Sequence, residues 1–281
     1  MSTPDDDLSP VRPIEVTRLT GEGRARVADV AATEEPLDIR LHGRSFAVIM
    51  RTPGADRALA AGFLLSERVI RSGADLGAVE HCRHPDHREA HHVVDVFLLG
   101  DAARRLPAIL EARRHLVATS ACGVCGRATI DDLRADVVPL DTSWTIDADC
   151  LRPLTARLRD TQHAFEETGG LHGAAIFTRA GALLISAEDV GRHNAVDKTI
   201  GHLLLADAPP AGAAEVLVVS GRVAFEIVQK AWLARIPVVV AVSAPTTLAI
   251  DLAREAGITL IGFARGASLN VYTHEARVAG R

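Results

Sequence analysis

Cysteine is scarce in this chain, with four in 281 residues. A small secreted scaffold held by disulfides is Cys-dense, so that class is excluded. No run of about 18 uncharged apolar residues occurs, and no membrane-spanning helix is expected. Basic excess is missing too: 31 Lys and Arg stand against 36 Asp and Glu, a formal charge of −5. A chain-wide nucleic-acid footprint is thereby excluded, which leaves room only for a local basic pocket. The opening MSTPDDDLSP has neither a basic start nor an apolar stretch. It reads as a disordered cytoplasmic tail over residues 1–16 rather than a signal peptide. Neither GxGxxG nor GxxxxGKS/T is present, which removes the dinucleotide fingerprint and the P-loop. Internal repeats and long low-complexity segments are also missing.

What is present is the balance of a globular protein, 48% hydrophobic and 24% charged. Leu37, Ile39 and Leu41 alternate with Asp38 and Arg40, the period of a half-buried strand. A turn at Gly43-Arg44 leads to a second strand, Ser45 to Arg51, and so to a hairpin. After Thr52-Pro53-Gly54, residues Ala55 to Ser66 carry Leu59, Phe63 and Leu64 on one helical face. Val79–Cys82 and Val93–Leu99 suit a second hairpin. This predicts a small α+β domain over 17–117. Residues 118–130 form a flexible loop, and 131–281 form an α/β domain. In the last of these, apolar runs such as VLVVS and VVVAVS alternate with helical segments. That is the signature of a parallel sheet covered on both faces.

The strand ends of the second half run into polar loops containing Arg192-His193, Ser220-Gly221-Arg222, Ser243 and Ala264-Arg265-Gly266. If the strands are parallel, these loops share the edge where open α/β sheets bind ligands. Helix N-termini there favour anions, and guanidinium forks suit phosphate. Taken singly, each loop is explained by helix capping; taken together, they predict a site for a phosphorylated, nucleotide-like ligand. His193, with Asp197 four residues on to orient it, divides evenly between a functional role and a first-turn polar cluster. His172, between glycines, reads on spacing alone as a turn residue more than as cleft lining.

Cys122 and Cys125 form a CxxC pair in TSACGVCGR, with Arg127 close by to favour a thiolate. A structural zinc site would need a second ligand pair, which the lone Cys82 and Cys150 do not supply. A thioredoxin-like dithiol would follow a strong strand. A mobile, Gly-flanked loop bearing a sulfur nucleophile fits better. The His-rich stretch from His81 to His92 has the composition of a metal site but reads as a solvated loop.

The words TSACGVCGR, GGLHGAAIF, EDVGRHNAVDK, VVSGRVAFEIVQKA and VVAVSAPTTLAIDLAREAGITLIGFARG, with RTPGADRALAAGFLLSE upstream, occur in this order. Together they closely resemble the formate dehydrogenase accessory sulfurtransferase family (FdhD/NarQ), over about Thr17 to His274. The resemblance implies a cytoplasmic sulfur carrier. It would take sulfur from a cysteine desulfurase as a persulfide on Cys122, with Cys125 as accessory thiol. It would pass that sulfur to the molybdenum of a bis(molybdopterin guanine dinucleotide) cofactor, bound as cargo, before insertion into the formate dehydrogenase apoenzyme. Phe263, Ala264, Arg265, Gly266, Ala267 and Ser268 match the family's cofactor segment, with Arg192, His193, Ser220, Gly221, Arg222 and Ser243 as further candidates. GDP would mimic a fragment of the cargo. The resemblance also implies a homodimer and a cytidine-deaminase-like, three-layer α/β C-terminal domain beside the smaller α+β one. The C-terminal half carries neither the H-x-E nor the P-C-x-x-C of zinc deaminases, so no zinc is expected at the site. The charge balance and the lack of a long apolar run give no nucleic-acid or membrane partner either. The competing reading is a cofactor chaperone without sulfur chemistry.

Overall fold

A computed structural model describes residues 9–82, 90–114, 138–206 and 215–280. The first hairpin joins β1 (Val11–Thr20) to β2 (Gly23–Ala32), antiparallel from Val11↔Ala32 to Thr20↔Gly23. Its first strand begins inside the segment expected to be a disordered tail. The acidic, Pro-bearing start hid the Ile14 and Val16 pattern that pairs with Asp29 and Val27.

In β3 (Glu35–Leu41), Leu37, Ile39 and Leu41 are fully buried, as the alternation requires. β4 (Arg44–Arg51) returns across a two-residue turn, His42-Gly43, in which both residues have positive φ. That is the turn whose twist matches an antiparallel pair. α1 (Asp56–Ser66) follows, then β5 (Leu76–His81) and β6 (Val93–Leu98), which pair antiparallel as expected. These strands form one sheet in the order β4-β3-β6-β5, with β3 and β6 parallel. α2 (Gly100–Arg114) closes this half.

The second half opens with β7 (Ile146–Asp147) and three short helices: α3 (Ala148–Leu151), α4 (Leu154–Arg159) and α5 (His163–Thr168). Then come β8 (His172–Phe177), β9 (Leu183–Asp189), α6 (Arg192–Leu205), β10 (Val216–Val219) and α7 (Phe225–Leu233). They are followed by β11 (Val238–Ala241), α8 (Thr247–Glu255), β12 (Thr259–Arg265) and β13 (Ser268–Val271). β14 (Val278–Ala279) returns to pair with β7.

The large sheet runs β13-β12-β11-β10-β8-β9 and is mixed rather than parallel. β8 and β13 are the reversed strands, because short loops join each to a neighbour and a short loop can only make an antiparallel pair. One loop is Thr178–Ala182, with Gly181 at φ +82°; the other is Gly266-Ala267, with Gly266 at φ +57°. β9 is antiparallel to β8, which is antiparallel to β10. The ends of β9, β10, β11 and β12 therefore still share one edge. Side chains alternate between the two faces: Leu217 and Val239 join α6, α7 and α8 in one core, whereas Val216 and Val238 join Leu154 and Leu158 of α4 in another.

The first core continues through α1 into the four-stranded sheet, so both halves share it. The expected boundary near residues 118–130 falls outside the described residues. The helices α1 and α6 meet backbone to backbone. A Cβ at Gly62 would lie 2.0 Å from the Asp197 carbonyl oxygen, and one at Gly201 would lie 1.7 Å from that of Ala58. Only glycine permits this approach.

Candidate functional site

The sequence word EDVGRHNAVDK divides between two tasks. Asp189, fully buried, accepts hydrogen bonds from the backbone N–H of Thr52 and Gly191 and from Asn194 Nδ2. Lys198 Nζ lies 2.8 Å from it and also donates to the Thr52 carbonyl. Asp197 accepts both from Lys230 Nζ, 2.7 Å away, and from Ser66 Oγ at 2.8 Å. It therefore does not orient His193, as the i+4 spacing suggested. These acidic and basic groups fasten the two halves together, as buried charges must be paired to be tolerated.

Arg192 and His193 remain for other work. His193 Nε2 lies 3.8 Å from Glu226 Oε2, beyond hydrogen-bond length. Among the described residues these two atoms and Arg192 Nε are buried without a hydrogen-bond partner. Burial pushes the Glu226 carboxyl up, but His193, the Glu226 backbone N–H and Arg192 outweigh it and hold it below its ordinary value. His172, at the start of β8, stands beside Gly221, where a Cβ would be 3.3 Å from Nδ1. Burial first, then the charges of Arg192 and His193, hold its imidazole below the ordinary value and so neutral at pH 7.

A cleft of about 540 Å³ opens at this edge and is lined by Gln162, His172, Ser220, Arg159, Arg265 and Gly266, among others. Ser220 Oγ accepts the Gly173 N–H at 2.9 Å, which leaves its own proton to donate. Gln162 is 4% exposed, and its Nε2 has no hydrogen-bond partner among the described residues. Gly173 admits that amide, since a Cβ there would sit 2.7 Å from it. Arg265 donates Nε to the Val242 carbonyl at 3.0 Å, spanning the ends of β12 and β11. Helix capping accounts for Thr246, which accepts from the Ala249 N–H, but not for the starts of α6 and α7, which have no side-chain cap.

Of the residues singled out from the sequence, Ser220, Ala264, Arg265 and Gly266 line this cleft, and so does His172, which spacing had assigned to a turn. Gly221 abuts His172, and Arg192 and His193 form the neighbouring polar cluster. Phe263 is 41% exposed at φ +51°, in the bulge between Gly262 and Arg265. Ala267 and Ser268 lie exposed at the β12–β13 hairpin, and Arg222 is exposed too. None of these four, nor Ser243, lines the cleft. Cys122 and Cys125 lie outside the described residues. Gln162 and Glu226 were missed: one follows a short helix, the other sits within an apolar helical word, and nothing local marks either.

The profile of the FdhD/NarQ family matches residues 32–279. The chain belongs to the FdhD/NarQ family. A protein named sulfur carrier protein FdhD from Nocardia farcinica is 48% identical over 262 residues, covering 92% of this chain and 91% of that protein. Its namesake from Streptomyces avermitilis is 46% identical over 267 residues, covering 90% of each. A crystal structure given as that of a formate dehydrogenase accessory protein from Desulfotalea psychrophila superposes with a TM-score of 0.76. It covers 96% of this chain and all of that one at 21% identity, a likeness of fold. The mixed α/β architecture is thus shared with that structure. No described helix is long and apolar enough to cross a membrane.

Proposed function

We propose that this chain is a cytoplasmic sulfur carrier required for formate dehydrogenase activity, acting as a sulfurtransferase through a Cys122 persulfide. The Cys122 thiolate attacks the outer sulfur of a persulfide on a cysteine desulfurase, and the desulfurase thiolate leaves. The persulfide S–S bond then breaks, and Cys122 leaves as a thiolate. The terminal sulfane sulfur would become a sulfido ligand of a reduced molybdenum in the cargo bis(molybdopterin guanine dinucleotide), whose oxidation from Mo(IV) to Mo(VI) supplies the two electrons. Cys125 serves as the accessory thiol.

The observation that carries the reading is the strand-end cleft. Its Arg265 and Arg159 guanidiniums and the Ser220 hydroxyl suit a diphosphate. The Gln162 amide offers one donor and one acceptor, a match for the O6 and N1–H edge of guanine. GDP is therefore the fragment that should bind. In the same reading the C-terminal half is a cytidine-deaminase-like, three-layer unit without zinc, the protein is a homodimer, and the loaded cofactor is handed to the formate dehydrogenase apoenzyme.

Intact mass spectrometry after incubation with a desulfurase and cysteine tests this. A gain of about 32 Da that reductant reverses should map to the Cys122 peptide. Equal gain in Cys122→Ala would refute the assignment. Loss of all sulfur loading with GDP binding intact would favour the cofactor chaperone.

A further inference from the structure

A second cluster of ligand-type side chains lies on the four-stranded sheet and shares no residue with the lining of the strand-end cleft. Glu35 opens β3, and His91 and His92 occupy the turn Ala90–His92 that leads into β6. Since β3 and β6 pair in parallel from Asp38↔Val93, their leading ends are neighbours. One ligand atom from each of Glu35, His91 and His92 lies within 4.8 Å of the other two. His92 Nδ1 is 3.7 Å from Glu35 Oε2, and the two imidazole centroids are 3.9 Å apart. All three residues are partly exposed, so the cluster is open to an ion from solvent.

The surrounding charges favour a cation. Arg51 is fully buried and donates Nε and Nη2 to Asp56, itself fully buried. Its Nη1 reaches Glu35 Oε2 at 3.3 Å. Among the described residues, this one guanidinium thus faces two carboxylates, Asp56 and Glu35. His81 Nε2 also lies 4.0 Å from Asp56 Oδ2. Arg51 Nη2 also contacts the His91 carbonyl at 3.4 Å. The same buried side chain therefore steadies both the carboxylate and the histidine turn, the outer-shell support that orients metal ligands.

We propose that Glu35, His91 and His92 bind a divalent first-row transition-metal cation. Two imidazoles and a carboxylate are the borderline nitrogen and oxygen donors that zinc accepts, with a fourth position left for water. Glu35 would bridge Arg51 and the metal. The ion fastens the turn before β6 to the head of β3. The site shares no residue with the strand-end cleft.

The test uses the full chain, stripped with a chelator and titrated with Co²⁺ and then Zn²⁺. One equivalent of Co²⁺ should bind with visible d–d absorption and no thiolate charge-transfer band, and Zn²⁺ should displace it. Glu35→Gln and His92→Ala should each weaken binding at least about tenfold. His92→Ala removes no fixed charge, so it keeps the test open should Glu35→Gln fail to fold. Cys122→Ser with Cys125→Ser should bind as the parent does. No stoichiometric binding of either ion would overturn the proposal. So would affinity unchanged in His92→Ala, binding lost in the double Cys variant, or binding lost in His84→Ala with His87→Ala while Glu35, His91 and His92 remain.

Discussion

Gly201→Ala places one methyl group where α6 meets α1. The new carbon would stand 1.7 Å from the Ala58 carbonyl oxygen and 2.5 Å from its carbon, both backbone atoms. Ordinary contact begins at 3.4 Å, so the helices must part by about 3.4 − 1.7 = 1.7 Å. The 2.8 Å bond from Ser66 to Asp197 crosses this same contact and would be broken. Overpacking costs about 1–3 kcal/mol, and a lost hydrogen bond to a charged group about 1.5–3. The helix propensity gained by replacing Gly with Ala returns about 1. The net loss is about 1.5–5 kcal/mol. Urea unfolding reads it as a lower midpoint at unchanged slope. The signal is the fluorescence of Trp232, a residue 5% exposed in the shared core. Gly21→Ala, where nothing lies within 4 Å, is the control and should stay within about 0.5 kcal/mol of the parent. A Gly201→Ala protein as stable as the parent would refute the close approach of the two helices.

Lys198→Met leaves the fully buried Asp189 without its counter-charge and should cost about 3–5 kcal/mol in the same unfolding measurement. For GDP, Arg265→Ala should raise the dissociation constant about tenfold by calorimetry, the loss of roughly 1.4 kcal/mol, and equal affinity would remove Arg265 from the site. Gln162→Leu should weaken GDP more than it weakens inorganic diphosphate, because only the nucleotide presents a base edge to the amide. The lowered pKa of His172 means the unfolded chain takes up its proton first. Its contribution is therefore intact above the ordinary value of 6.5 and lost as pH falls through the lowered one. His172→Gln should flatten that acid limb of the stability profile, and an unchanged limb would assign it to other groups.

The local signals in the sequence were read correctly wherever burial alone decides the pattern. Leu37, Ile39 and Leu41 announced a strand, and the Val-rich runs announced a sheet covered on both faces. The shared edge of four strand ends also followed, although β8 is reversed within the sheet. Reversal is a property of loop length and partner choice, which hydrophobic period does not encode. The polar residues were harder to assign. Asp189, Asn194, Asp197 and Lys198 sit in one word with Arg192 and His193, yet their partners Thr52, Ser66 and Lys230 lie far along the chain. Sequence spacing on a helix cannot tell a residue that faces a ligand from one that faces another helix. Gln162 and Glu226 were invisible for the same reason, since only the folded chain places them beside His172 and His193.

The glycine contact between α1 and α6 also has a bearing on synthesis. Gly62 leaves the ribosome 139 residues before Gly201. At about 5–20 residues per second, α1 waits roughly 7–28 s for its partner helix. During that interval the first half can close Arg51 on Asp56 and complete the β3–β4 hairpin from its own residues. The face of α1 built from Ala58 and Gly62 has nothing to cover it until α6 emerges. A nascent chain holding such a surface open is a substrate for chaperones. A ribosome stalled after β6 has emerged and before α6 has should therefore display a folded sheet with one sticky helix.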